Sequence, residues 1–170
     1  IVLSATIRKK RKLPTKTDTV ETITVTSKDM VHHIDGSDER QNLLQLVKTV
    51  RMLDPDVVYT ANGDGFLFPY LIHRATVNEI ANRFILGRDE SPLQMLGGKG
   101  QSYVSYGRVC YRPTPTRLLG RLHIDRENSF LFRDCGLIGI IEVARLCRIP
   151  AQRASSCLLY TSPSPRDRTR

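Results

Sequence analysis

The sequence contains no tryptophan, and its aromatics amount to six Tyr and five Phe in 170 residues. A surface that stacks many bases on aromatic rings is therefore not expected. No run of 18 apolar residues is present to span a bilayer as a helix, and no basic stretch precedes an apolar one at the start, as a signal peptide requires. The four cysteines, Cys110, Cys135, Cys147 and Cys157, form no C-x-x-C pair. They also fall at no zinc-finger spacing with His32, His33, His73 or His123. Free thiols in a reducing cytosol fit this pattern better than a disulfide or zinc scaffold. Dinucleotide and P-loop fingerprints are missing as well: Gly97-Gly98-Lys99-Gly100 comes nearest, but no Ser or Thr follows its lysine. There is no G-x-S-x-G nucleophile turn.

What the chain has in excess is positive charge. Twenty-six Lys and Arg against 17 Asp and Glu leave a formal +9, which suits a polyanionic partner such as nucleic acid and serves equally for solubility alone. With 40% hydrophobic residues, a chain of this length can bury one core without staples. It has no initiator Met and opens inside an apolar, β-branched run, so it is read as a fragment.

Ile1 to Ile7 and Val20 to Thr26 read as strands. Arg8-Lys9-Lys10-Arg11-Lys12 lies between them, either a nucleic-acid patch or a solvated turn. Asp35-Gly36-Ser37-Asp38 supplies N-cap chemistry, and Leu43, Leu44, Val47, Val50 and Leu53 follow at helical spacing. Asp54-Pro55-Asp56 ends that helix. Val57 to Thr60 reads as a buried strand, expected to be central in its sheet. A polar turn, Ala61 to Gly65, follows, with its glycines expected at positive φ. Pro69 then opens a helix running to about Ile80. Arg83 to Gly100 reads as an irregular excursion. Tyr103 to Tyr111 and Arg117 to Ile124 alternate like two paired strands. Phe130 to Leu146 is expected to be one or two helices, with Ile138, Ile141 and Arg145 spaced to give an apolar face and a basic edge. Helix, strand, loop and helix in that order predict an α/β fold.

Metal-assisted phosphodiester cleavage needs several carboxylates converging on two ions about 4 Å apart. Asp64, Asp125 and Asp134 are the candidates, each near the end of a predicted strand or the start of a helix, where the sites of α/β sheets gather. Each also has an ordinary role as a cap or loop residue, and Arg133-Asp134 reads as a surface pair. The histidines lack motif partners and are read as structural. Arg108, Arg112, Arg117 and Arg121, on or beside the alternating segments, are the candidate phosphate contacts.

The run from Asp54 to Leu71, Asp-Pro-Asp-Val-Val-Tyr-Thr-Ala-Asn-Gly-Asp-Gly-Phe-Leu-Phe-Pro-Tyr-Leu, resembles the second exonuclease motif of family B DNA polymerases, especially archaeal ones. Asp38-Glu39-Arg40, Leu86-Gly87-Arg88 and Gly120-Arg121-Leu122-His123-Ile124-Asp125 occur in the same order in that family, so the resemblance extends over nearly all of residues 1–156. It implies a partial 3′–5′ exonuclease domain of ribonuclease H-like fold, a mixed sheet flanked by helices. It also implies that Leu137 to Arg153 leads toward the polymerase palm.

Proofreading domains of this family hold two metal ions, Mg²⁺ in the full-length enzyme, on carboxylates from three motifs. The first motif, an Asp-x-Glu strand, would precede Ile1. In the second, Asn-x-x-x-Phe-Asp, Asn62 and Phe66 match but Leu67 stands in place of the aspartate. The third, Tyr-x-x-x-Asp, is echoed only by Phe130-x-x-x-Asp134. Leucine has no oxygen to offer a hard cation. The resemblance therefore implies a DNA-directed DNA polymerase acting in replication or repair, located in the cytoplasm at the nucleoid. Its exonuclease-like domain is expected to be a proofreading-inactive scaffold and DNA-contacting surface. DNA is the implied partner, a sliding clamp would be reached only through the full-length parent, and no membrane partner is implied. Two alternatives stay open: an active exonuclease with a shifted carboxylate set, and a stand-alone basic nucleic-acid-binding module. Residues 157–170 carry three Arg, two Pro and no periodicity, and resemble translated adaptor sequence; a disordered, non-native tail is expected there.

Overall fold

The computed structural model describes residues 1–7, 15–28, 30–95, 100–105 and 108–156. The basic run at 8–12, the Gly-Gly-Lys turn at 97–99 and the tail at 157–170 lie outside the described residues. Two compact units divide at Asn128.

In the first unit, β1 (Val2–Ile7) pairs antiparallel with β2 (Val20–Thr26), which pairs antiparallel with β3 (Val31–Ile34). Helix α1 (Glu39–Leu53) follows, capped by the Asp38 carboxylate, which accepts from Arg40 N at 2.9 Å. Strand β4 (Val57–Thr60) is parallel to β1 on one side and to β9 (Leu122–Asp125) on the other. The sheet order is β3-β2-β1-β4-β9, so β1 is the middle strand and β4 is interior beside it. Alternation places Leu3 and Ile7 of β1 and Ile23 and Val25 of β2 in the core. Leu43, Leu46, Val47 and Val50 of α1, and Phe68, Tyr70, Leu71 and Ala75 of α2 (Phe68–Val77), join the same cluster. Each of the Val, Leu, Ile and Phe side chains among them contributes roughly 1.5–3 kcal/mol of burial. The result is the expected α/β fold, a mixed five-stranded sheet flanked by helices.

A brace that periodicity alone does not show ties α2 to α1. Arg74 lies on the buried face of α2, one turn from Tyr70, and its guanidinium grips both oxygens of Glu39, the Nε bond being 2.8 Å. Val20 N and Asn78 Nδ2 donate to the same carboxylate, each at 2.9 Å. Burial pushes the Glu39 carboxyl up, but Arg74, Val20 and Asn78 outweigh it and hold the group below its ordinary value.

Three expected element boundaries need correction. Tyr103 to Tyr111 is not one strand: β6 (Gln101–Ser105) and β7 (Arg108–Arg112) pair with each other. Arg117 to Ile124 is also split. Thr116–Arg117 forms β8, paired with β5 (Gln94–Met95), and Gly120 at φ 80° turns the chain into β9. Alternation continues through a turn unchanged, so the pattern cannot show where a strand folds back. Helix α2 stops at Val77, with Glu79 at φ 57° closing its end.

The second unit holds α3 (Phe130–Cys147), interrupted at Gly136, and α4 (Ala151–Ser155). Ser129 caps α3, its Oγ accepting from Phe132 N at 3.2 Å while donating to Ser155 O at 2.7 Å. Ile140 is buried, whereas Ile138 and Ile141 are exposed and Arg145 pairs with Glu142 at 2.7 Å. The expected face is thus not the buried one; the helix is apolar on more than one side, and the stripe through Ile140 is covered instead. Among the described residues no helix is long and apolar enough to cross a membrane.

Candidate functional site

Strands β4 and β9 are parallel neighbours that end together at Thr60 and Asp125, and the crevice beyond such carboxyl ends is where α/β sheets place their sites. After Thr60 the chain turns at Asn62, φ 54°, and enters a single π-helical turn, Gly63–Leu67, that runs into α2. The positive φ belongs to Asn62, not to the glycines. Gly63 is needed for a different reason: a Cβ there would collide with Thr60 Oγ1 and lie 3.1 Å from His123 Nε2. Phe66 stacks on Tyr70 with centroids 5.5 Å apart. Leu67 points into the core and is 6% exposed.

Asp64 and Asp125 do come together, and both are buried. Asp64 N donates to Asp125 Oδ2 at 2.9 Å, and Glu127 N donates to Asp125 Oδ1 at 3.1 Å. Thr116 N donates to Asp64 Oδ1 and Asn128 Nδ2 to Asp64 Oδ2, both at 2.7 Å. Each of the four oxygens thus accepts an N–H from the protein. Asn128 Nδ2 also reaches Pro113 O at 3.2 Å, and Arg112 Nε holds Asn128 Oδ1 at 3.2 Å. Asp64, directly and through Asn128, clasps Thr116 and Pro113, and Asp125 ties the turn after β4 to the turn after β9.

His123 completes the cluster. Its Nδ1 lies 3.1 Å from Thr116 O, which can only accept, so that nitrogen carries the proton. Its Nε2 is 2.8 Å from Thr60 Oγ1, whose hydroxyl can then donate to the neutral ring. Phe68 packs edge-on against the imidazole at 4.8 Å. Burial pulls the imidazole pKa down, against the opposing pull of Asp64. Burial likewise lifts the Asp64 carboxyl, against His123, Asn128 and the Thr116 amide. Neutral His123 at pH 7 is the state this geometry supports.

The remaining predicted residues scatter. Asp134 lies in the second unit, exposed and 3.6 Å from Arg133 Nε, matching the surface-pair reading. Arg112 is buried on Asn128, as described. Arg121 is also buried, its Nη1 bonding Asp54 at 2.8 Å and Pro55 O at 2.6 Å, and its Nε bonding Leu86 O at 3.1 Å. The expectation of phosphate contacts is corrected for these two, because both side chains are buried and their guanidinium groups bond inside the fold. Arg117 is exposed; Arg108 sits on β7, its side chain outside the described residues. Arg88 joins Asp54 and Asp56 at 2.9 and 2.7 Å, so the Asp-Pro-Asp, Leu-Gly-Arg and Gly-Arg signatures meet in one structural knot. Sequence spacing does not single out Thr60, Thr116, His123 and Asn128 as partners of the carboxylates. The available signal was a histidine and an Asp-x-x-Asn turn at the end of a buried strand.

The model of the exonuclease domain of DNA polymerase family B matches residues 4–129. The chain belongs to this family. DNA polymerase 1 of Pyrococcus abyssi is 48% identical over 59 residues, 35% of this chain and 7% of that protein. The DNA polymerase of Thermococcus litoralis is 37% identical over 90 residues, 52% of this chain and 4% of that protein. The structure of the family B DNA polymerase from Pyrobaculum calidifontis superimposes on 98% of this chain with a TM-score of 0.57, at 20% identity and over 21% of its own length. The chain therefore spans a small part of the polymerases it matches, and this likeness carries the ribonuclease H-like fold.

The divalent metals of family B exonuclease domains do not fit the residues present. Leu67 offers no oxygen, Asp64 and Asp125 already accept protein N–H groups at all four oxygens, and among the described residues no three His, Cys, Asp or Glu side chains are disposed around one point.

Proposed function

We propose that this domain belongs to a DNA-directed DNA polymerase of replication or repair and lacks metal-dependent 3′–5′ nuclease activity, serving as a scaffold and DNA-contacting surface. The observation that carries the reading is the burial of Leu67 in the core at the position of the family's metal-binding aspartate. Losing one central carboxylate costs several kcal/mol of transition-state stabilisation, about 10³-fold or more in rate. The hydrogen-bonded state of Asp64 and Asp125 supports the same conclusion: neither is free to move into the vacated role without orphaning Thr116 N or Asp64 N. DNA contact is assigned to exposed Arg117 and to Arg108, through phosphates and without base preference. Mg²⁺ and a sliding clamp belong, on this reading, to the polymerase as a whole, which works at the nucleoid.

The test is incubation of the full-length polymerase carrying this domain with 3′-labelled single-stranded DNA and Mg²⁺ or Mn²⁺. No shortening is expected. Degradation that disappears on Asp64→Ala, with the fold retained, overturns the reading in favour of a shifted carboxylate set.

A further inference from the structure

A second surface lies away from the carboxylate cluster, on the half of α1 that leads into the start of β4. Leu44, Val47, Lys48 and Arg51 share one face of α1 at i, i+3, i+4 and i+7, and with Asn82, Arg83, Ile85 and Glu90 they line a cleft of about 560 Å³. Its floor is apolar, from Leu44, Val47 and Ile85. Its rim carries three cations and one carboxylate. Lys48, Arg51 and Arg83 are exposed, and among the described residues none of them is in an ion pair.

We propose that this cleft docks an acidic, leucine-bearing segment of a separate protein. Charge complementarity selects an anionic occupant, and the floor selects one with apolar side chains to bury. Nucleic acid fits less well on two counts. The lining holds no aromatic ring for a base to stack on. A phosphate backbone is also charged at every step, so it would set a phosphate against Glu90, while a peptide can place a neutral residue there. The inference is independent of whether the domain retains nuclease activity.

The test is fluorescence anisotropy on the full 170-residue chain at low salt, with two labelled probes: a short peptide of alternating leucine and aspartate or glutamate, and a single-stranded oligonucleotide. The peptide should bind saturably, and should bind about tenfold or more weakly to Lys48→Glu/Arg51→Glu, with the milder Lys48→Gln/Arg51→Gln falling between. Both side chains are exposed, and an unchanged thermal transition confirms that the variants fold. Replacing the peptide's leucines with serine should abolish binding. Peptide affinity unchanged in the charge-reversed variant overturns the proposal. So does serine-peptide binding equal to that of the leucine peptide, and so does a variant that loses the oligonucleotide while keeping the peptide.

Discussion

Asp64→Ala separates a carboxylate that clasps the fold from one that catalyses. Two buried donors face Asp64, Thr116 N and Asn128 Nδ2, both at 2.7 Å. Leaving a buried donor unsatisfied costs about 1–3 kcal/mol, but the two losses are unequal. Asn128 Nδ2 keeps Pro113 O at 3.2 Å, whereas Thr116 N loses a 2.7 Å bond to a charged acceptor. Removing a buried carboxylate also recovers part of its desolvation, the same burial that lifts its pKa. The net expectation is a loss of about 2–3 kcal/mol. With a urea slope of about 1–3 kcal/mol/M, the unfolding midpoint should fall by roughly 0.7–3 M at unchanged slope. Asp64→Asn should cost less, because its carbonyl can still accept from Thr116 N while its amide confronts that of Asn128. Urea unfolding followed by circular dichroism reads both variants, alongside the 3′-end assay. A midpoint within error of the unsubstituted chain would refute the clasp.

Other outcomes follow from the same geometry. Folded His123 has a lowered pKa, so its contribution to stability is present above the ordinary imidazole value near 6.5 and is lost as pH falls below it, when the unfolded state takes up the proton. Unfolding free energies from urea titrations should change little from pH of about 7.5 to 6.5 and then decline by up to about 1.4 kcal/mol per pH unit toward pH of about 5.5, and His123→Gln should flatten that decline. Glu39, held below its ordinary value, adds stability above pH of about 4.5 that disappears at lower pH; Glu39→Ala should cost about 3–5 kcal/mol at neutral pH by stranding the buried Arg74 guanidinium. Arg117→Ala should lower the salt slope of single-stranded DNA binding by about 0.7, whereas Arg121→Ala should reduce stability with no change in slope. A slope unmoved by Arg117→Ala would remove that residue from the DNA surface.

The parts of the fold legible in the sequence are those where one physical signal dominates. β1, β2, α1 and β4 carry unmixed periodicity between clear breakers, and they occur where the pattern places them. Within Tyr103 to Tyr111 and Arg117 to Ile124 the alternation does not show where a strand ends, because it runs on through turns set by backbone geometry, such as Gly120 at φ 80°. The site was half legible. Position at predicted strand ends named Asp64 and Asp125, and the resemblance to the family's second exonuclease motif marked Leu67 as a missing ligand. Periodicity cannot report that the same carboxylates are satisfied by Thr116 N, Glu127 N and Asn128 from segments up to 64 residues away. Arginines at alternating positions read as a surface stripe; only the fold reveals that Arg112 and Arg121 turn inward to meet Asn128 and Asp54.

That inward turn bears on how the domain tolerates Leu67. A metal-binding carboxylate pointing into a crevice needs either a cation or water to face, and a buried one without either is costly. Here the strand-end region is closed by protein donors instead: Thr116 N on Asp64, Asp64 N on Asp125, and Arg112 holding Asn128 in place to donate to Asp64. With those bonds made, the position after Phe66 is free to be apolar, and leucine there joins Phe68 and Leu71 in the core. Leu67→Asp alone should therefore lose core burial of about 1.5–3 kcal/mol and place a charge among apolar neighbours. It should not gain nuclease activity unless Asp64 and Asp125 are also released from their clasps. Strong 3′-end degradation from Leu67→Asp by itself would show that the carboxylates exchange their protein partners for metal readily, and that the closed network is a resting state rather than a replacement for the metal site.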